Sequence, residues 1–295
     1  MHGTGLPLVT PFETDGTIDS RALRELVQWV ERRGVDFIAP CGSNSEAPLL
    51  SADERARVVE TVVEEATVPV LAGTGHAGFD ATRRQTERAA EAGADAALVV
   101  TPHYFQHDQE TLATYFRDLA DASSIPVYLY SVPKYTGVRL EPETVADLAM
   151  HENVAGMKDS SGDLVSLGRI ARSTDDEFDL LVGSGSVYAH GLDAGADGGV
   201  LAMANVVPEL ASAVYDRHAS GERGAARELN ATLVDLNEAV TGDDGIPGLK
   251  AAMRARDAPA GRVRSPHLPA SDEAVTRLAA LVDRTLDDAS LEAVE

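Results

Sequence analysis

The chain has 295 residues, 44% of them hydrophobic, and carries 48 acidic against 25 basic residues for a formal charge of −23. That length holds one large domain, or one large and one small, with enough apolar content for a core. So acidic a chain argues against nucleic acid and anionic membranes as partners, and its single cysteine, Cys41, excludes an intramolecular disulfide and a cysteine-rich zinc site.

The acid is dispersed, as at Asp53-Glu54, Glu64-Glu65, Asp175-Asp176-Glu177 and Asp287-Asp288. With so few lysines this suits solubility at high salt and a halophilic host; an ordinary acidic soluble protein is the plainer alternative. Met1-His2-Gly3-Thr4 lacks the basic and apolar regions of a signal peptide. No apolar run approaches the ~18 residues of a membrane span, so a cytoplasmic protein is expected.

Thr4 to Thr10 reads as a first strand. Asp19 caps a predicted helix from Ser20 to Arg33, with Leu23, Leu26, Val27 and Val30 on one face, and Gly34 stops it. Asp36 to Pro40 is a strand, followed by the polar turn Cys41-Gly42-Ser43-Asn44-Ser45-Glu46. Ser51-Ala52-Asp53-Glu54 is a capping box opening a helix to Ala66. Val68 to Gly73 is a strand, and Phe79 to Ala92 a helix closed by Gly93.

The alternation continues with strands at Asp95–Val100, Pro126–Tyr130, Val154–Lys158, Asp179–Gly183 and Asp197–Met203. The intervening helices are predicted at Gln109–Ala122, Pro142–His151, Leu164–Ser173, Val187–Ala194 and Pro208–Ala219. The phrase Ala-Gly-Ala-Asp recurs at 92–95 and 194–197, as one helix-to-strand turn used twice. Eight such units in about 220 residues, with uninterrupted apolar strands, predict an α/β fold, a (β/α)8 TIM barrel. An open doubly wound sheet is less suited, since no Gly-x-Gly-x-x-Gly follows the first strand. Residues 1–220 form the expected catalytic barrel and 221–295 a small C-terminal helical domain. Its helices are predicted at Glu222–Val240, Leu249–Arg256 and Ser271–Leu286, with Ala289 to Glu295 fraying.

The active face of such a barrel is at the C-terminal ends of its strands. There the sequence places Gly42, Ser43 and Asn44; Thr101, His103 and Tyr104; Tyr130; Lys158; Gly183, Ser184 and Gly185; Met203 and Asn205. Lys158 stands out because the chain has three lysines, Lys134, Lys158 and Lys250, against twenty-two arginines. A buried lysine can lose its proton and attack a carbonyl, which arginine cannot. The plainer possibility is a strand-end lysine turned to water or to Asp159. A phenol at Tyr130 can move protons, and backbone N–H groups of a Gly-Ser turn can hold a carboxylate. Strand-end tyrosines and Ser-rich turns also occur as purely structural features. No spacing of His, Asp or Glu suggests a metal site, and His103 and His107 read as surface or wall residues.

These motifs together resemble the dihydrodipicolinate synthase / N-acetylneuraminate lyase family of class I, Schiff-base-forming barrel enzymes, over nearly the whole chain. Gly5 to Phe12 is similar to the family's opening strand, and Gly42-Ser43-Asn44-Ser45-Glu46 to its Gly-[Ser/Thr]-Thr-Gly-Glu carboxylate loop. Thr101 to Phe105 resembles Thr-Pro-Tyr-Tyr, Tyr128 to Gly137 the Tyr-Asn-x-Pro segment, and Gly156-Met157-Lys158-Asp159 the Gly-[Ile/Val]-Lys-[Glu/Asp] motif. The resemblance implies Lys158 as Schiff-base lysine, Tyr130 as proton-transferring phenol, and Gly42, Ser43 and Asn44 as the carboxylate turn, Ser43 also relaying protons. It implies that Tyr104 reaches a neighbouring subunit of a homotetramer, and that a covalent adduct with pyruvate replaces any cofactor.

The chain departs from the family at several points. Asn44 and Ser45 stand where the loop usually has Thr and Gly, which puts its geometry in question. The synthases place an arginine five residues after the catalytic tyrosine; here Tyr135 stands there, beside Lys134, and Arg139 lies further on. The acidic residue of the neuraminate lyases is missing from Gly183-Ser184-Gly185-Ser186. What remains is closest to 2-keto-3-deoxygluconate aldolase, with Tyr135, Ser160, Gly183 and Ser184 expected at the sugar end. A dihydrodipicolinate synthase-like condensation, a keto-deoxy acid dehydratase and a non-catalytic keto-acid-binding paralogue are the rival expectations.

Overall fold

A computed structural model describes residues 1–292. Its strands are β1 (Gly3–Leu6), β2 (Phe37–Ile38), β3 (Leu71–Gly73), β4 (Ala96–Val100), β5 (Val127–Ser131), β6 (Val154–Asp159), β7 (Asp179–Val182) and β8 (Gly198–Val200). Between and after them run α1 (Ser20–Glu31), α2 (Ala52–Glu65), α3 (Phe79–Glu91), α4 (Gln109–Ala122), α5 (Pro133–Thr136), α6 (Pro142–Leu148), α7 (Leu164–Ser173), α8 (Tyr188–Asp193) and α9 (Pro208–Ala219). The C-terminal helices are α10 (Arg223–Thr232), α11 (Val234–Glu238), α12 (Gly245–Ala255) and α13 (Asp272–Glu292).

All strand pairs are parallel, in the order β2-β1-β8-β7-β6-β5-β4-β3. The seam between β2 and β3 is joined by an Ile38–Val70 bridge, with Ile38 N donating to Pro69 O at 3.0 Å and Gly73 N to Pro40 O at 2.8 Å. The predicted TIM barrel is therefore the fold. Phe37, Leu71, Leu98, Tyr128, Tyr130, Leu181 and Val200 form one buried cluster, and a larger one packs the helices.

Apart from β5, which is as long as predicted, and β6, which runs one residue further, the predicted strands are longer than the real ones, because proline and the active-face loops cut them short. Pro7 has no N–H to give a ladder, and β1 ends before it. After β8 the chain coils into a 3₁₀ turn over Ala202–Asn205. The short helix α5 was not predicted, although Pro133 at its first position and Gly137 beyond its end, in the left-handed region at φ 71°, are its markers. The single helix expected over Glu222–Val240 is broken into α10, α11 and a π-helical turn at Ala239–Asp243. The stretch expected to fray is helical up to Glu292. Residues 293–295 lie outside the described residues.

Candidate active site

Strand pairing sets Tyr130 of β5 level with Lys158 of β6, and Lys158 level with Leu181 of β7. Side chains at paired positions share a face, and here that face is the barrel interior. Lys158 is only 4% exposed, and its Nζ lies 4.4 Å from the centroid of the Tyr130 ring. Tyr130 Oη stands 3.5 Å from Ser43 Oγ on the loop after β2. Tyr128, two residues earlier on β5, points to the other end and donates to the Asp179 carboxylate. Burial and that carboxylate push its phenol well above the usual range. One strand thus carries a structural tyrosine at one end and a site tyrosine at the other.

The lysines separate by their partners. Lys250 is fully buried and donates to Thr10 O, Glu46 Oε1 and Arg262 O, each at 2.6 Å. Lys134 donates to Thr241 O at 2.9 Å. Lys158 has no hydrogen bond or ion pair among the described residues. Asp159 does not pair with it: its Oδ1 accepts from Ser161 N at 2.7 Å, and burial raises its carboxyl above the ordinary value.

The turn after β2 is tied down by hydrogen bonds. Cys41 and Glu46 take left-handed backbone angles, at φ 57° and 59°. Ser45, where a glycine was expected, needs no such angle. Its buried hydroxyl donates to Leu8 O and accepts from Gly42 N, knitting the turn to the end of the β1 segment. Glu46 is held by Lys250 of α12 and by Arg264 N in the loop that follows, so Ser43 and Asn44 project from a turn anchored to the C-terminal part of the chain.

Two cavities meet at Tyr130. One, of about 200 Å³, is lined by Asn44, Tyr130, Tyr135, Lys158, Ser160, Gly183 and Ser184, so seven of the predicted site residues converge there. Gly42 and Ser43 face the other, of about 560 Å³, which Tyr130 also lines. Gly183 has a steric reason: a Cβ there would lie 1.9 Å from Ser160 Oγ. Tyr104 is not brought into either cavity; it is 85% exposed at φ 82°, edge-on to the exposed Phe105 ring. Thr101, Met203 and Asn205 are buried behind the site, and Asn205 Nδ2 donates to Pro7 O and Ala202 O. Arg139 Nη1 donates to Asp163 Oδ2 at 2.8 Å and does not line the cavities.

Residues the strand-end rule could not find are Asn237 and Thr241, which line the Lys158 cavity from the C-terminal helices. The available signal was a polar residue on an apolar helix face, since Asn237 sits among the buried Leu233, Leu236 and Val240.

Comparison with known proteins gives one family. Residues 1–285 match the dihydrodipicolinate synthetase family. A DapA-like lyase of Halobacterium salinarum is 40% identical over 268 residues, 90% of this chain and 88% of that protein. The 4-hydroxy-tetrahydrodipicolinate synthase of Methanothrix thermoacetophila is 37% identical over 288 residues, covering 97% of this chain and 98% of the relative. Among solved structures, YagE of E. coli K12, a prophage protein of the dihydrodipicolinic acid synthase family in complex with pyruvate, superposes with a TM-score of 0.93 at 26% identity, covering 97% of this chain and 99% of that one.

Proposed function

Because the chain belongs to the dihydrodipicolinate synthetase family of carbon–carbon lyases, we propose that it is a pyruvate-dependent aldolase that reversibly cleaves a 2-keto-3-deoxy sugar acid such as 2-keto-3-deoxygluconate. The observation that carries this reading is Lys158: buried, without an acid or acceptor partner among the described residues, and beside Tyr130 in a cavity at the strand ends.

In the cleavage direction the Lys158 amine attacks the C2 ketone, and loss of water leaves an iminium. Tyr130 takes the proton of the C4 hydroxyl as the C3–C4 bond breaks. The bond's electron pair flows into the iminium to give an enamine, and the aldehyde departs. Protonation at C3 and hydrolysis then release pyruvate and restore the amine. The iminium nitrogen is the electron sink, so this route calls on no cofactor. Gly42, Ser43 and Asn44 hold the keto-acid carboxylate, with Ser43 passing protons to Tyr130. Tyr135, Ser160, Gly183 and Ser184 line the sugar end. These parts come from a catalytic barrel of residues 1–220, with the chain from 221 onward as its helical appendage. We place the enzyme in the cytoplasm of a salt-adapted cell, as a homotetramer in which the exposed Tyr104 reaches a neighbouring subunit.

A synthase-type condensation is the second reading, favoured by relatives named as 4-hydroxy-tetrahydrodipicolinate synthases and by Lys134 at the cavity wall. Against it, Tyr135 occupies the arginine position, and a phenol cannot grip a carboxylate in bidentate fashion. The test has two parts, both in high salt. Borohydride reduction with pyruvate is expected to leave an adduct on Lys158 that Lys158→Ala lacks. Pyruvate release from 2-keto-3-deoxygluconate is expected to exceed condensation with aspartate semialdehyde. An adduct on another lysine, or none, ends the Schiff-base assignment; the reverse substrate preference selects the synthase.

A further inference from the structure

In the turn after β2 most backbone N–H groups are already committed. Gly42 N donates to Ser45 Oγ, Ser45 N and Ala47 N to Gly42 O, and Glu46 N to Ser43 O. Between Gly42 and Ala47, only the N–H groups of Ser43 and Asn44 have no acceptor among the described residues. They are the two backbone donors this turn can offer an incoming carboxylate. Their direction depends on Glu46, which closes the turn in the left-handed region at φ 59°. A residue other than glycine stays in that region only where its surroundings hold it.

What holds Glu46 is Lys250 of α12. Both side chains are fully buried, and the three donors of Lys250 Nζ go to Glu46 Oε1, Thr10 O and Arg262 O. Thr10 closes a ring of contacts, because its Oγ1 donates to Ser45 O at 2.8 Å while its carbonyl accepts from Lys250. One amine thus reaches the turn twice, directly at Glu46 and through Thr10 at Ser45. Arg264 N meets the other Glu46 oxygen at 2.9 Å. Lys250 lines neither cavity at Tyr130, so it acts on a ligand only through the shape of the turn. A neutral side chain in its place would leave the Glu46 carboxylate buried without its cation.

We propose that Lys250 is a positioning residue: acting from the helical appendage through Glu46 and Thr10, it fixes the angle at which the turn presents the Ser43 and Asn44 N–H groups, and so sets how tightly the carboxylate of the keto acid is held. This rests on the reading of the Lys158 cavity as a site that forms a Schiff base with pyruvate.

The experiment follows borohydride trapping on Lys158 against ligand concentration, with pyruvate and with acetone, which has a methyl group in place of the carboxylate. Wild type, Lys250→Met and Glu46→Gln are measured, the last nearly isosteric and keeping an acceptor for Lys250. Lys250→Met is expected to raise the half-saturating pyruvate concentration roughly tenfold and to leave that of acetone within about twofold. Glu46→Gln is expected to shift pyruvate in the same direction by a smaller factor, again without acetone. Melting curves report the fold, and where Lys250→Met does not fold, the ratio of the two ligands in Glu46→Gln alone decides. A pair that only supports the fold would lower the melting temperature and leave the pyruvate-to-acetone ratio as in wild type. That unchanged ratio in a folded variant overturns the inference, as does an equal shift of both ligands. A wild type that traps no pyruvate overturns the proposed function first, and the inference with it.

Discussion

At the scale of single residues, burial and a depressed pKa do not by themselves make a lysine a nucleophile. Burial pushes the Lys250 amine down to about 8 against the pull of Glu46. Its three acceptors nevertheless hold it in place, and removing the pair would leave an uncompensated charge in the core. Lys158 is buried too, but its neighbour is a ring face. Cys41 is a buried thiol pushed up to about 11 by burial, which leaves it protonated and inert. Tyr130 stands between the Lys158 amine and the Ser43 hydroxyl, where the proposed mechanism has it move protons. Tyr130→Phe keeps the ring and removes only the Oη. It is expected to lower kcat by about 10²–10³-fold while leaving thermal stability near wild type, as measured by steady-state turnover and a melting curve. Turnover within threefold of wild type would remove the phenol from the mechanism.

At the scale of elements, one turn is repeated more often than its sequence shows. Gly34, Gly93 and Gly195 each end a helix at positive φ, at 84°, 91° and 106°. Two residues later an aspartate takes a backbone N–H of the neighbouring strand segment: Asp36 from Thr4 at 2.7 Å, Asp95 from Val70 and Asp197 from Leu180 at 2.8 Å. Only the two Ala-Gly-Ala-Asp copies were legible as a repeat; Arg33-Gly34-Val35-Asp36 keeps just the glycine and the aspartate that the geometry needs. The capping box of α2 was also legible, but the second task of its glutamate was not. Glu54 accepts from Ser51 N and also receives both Arg264 Nη atoms, 210 residues away. The Arg264 hydrogen bonds come first in holding its pKa down to about 2 from 4.5. A depressed carboxyl stabilises the fold above pH 4.5 and loses that contribution as pH falls towards 2. Glu54→Gln is therefore expected to unfold more readily at pH 7 and to show a shallower loss of stability between pH 5 and 2, read by urea titrations across that range. Parallel stability–pH curves for the two proteins would contradict it.

At the scale of the whole molecule, the charge of −23 sets the behaviour. Self-repulsion of so much like charge opposes the compact state and is screened when salt shortens the Debye length to ~3 Å at 1 M. The melting temperature is expected to rise steeply between 0.1 and 2 M KCl, followed by circular dichroism; a flat or falling curve would exclude salt-screened repulsion as the controlling term. No helix among the described residues is long and apolar enough to cross a membrane.

The sequence by itself determined the barrel and the face on which its strand-end residues gather, and it singled out Lys158 and Tyr130, which the fold sets side by side there. Those follow from local rules: strand–helix alternation, capping residues, and the fixed placement of strand ends on one face. It did not determine what each lysine touches, since Glu46 and Lys250 are 204 residues apart and meet only in the folded core. Nor did it place Asn237 in the cavity or remove Tyr104 from it. Both depend on how the C-terminal helices and the loop after β4 settle on the barrel, and neither position carries a local periodicity that reports a contact made so far along the chain.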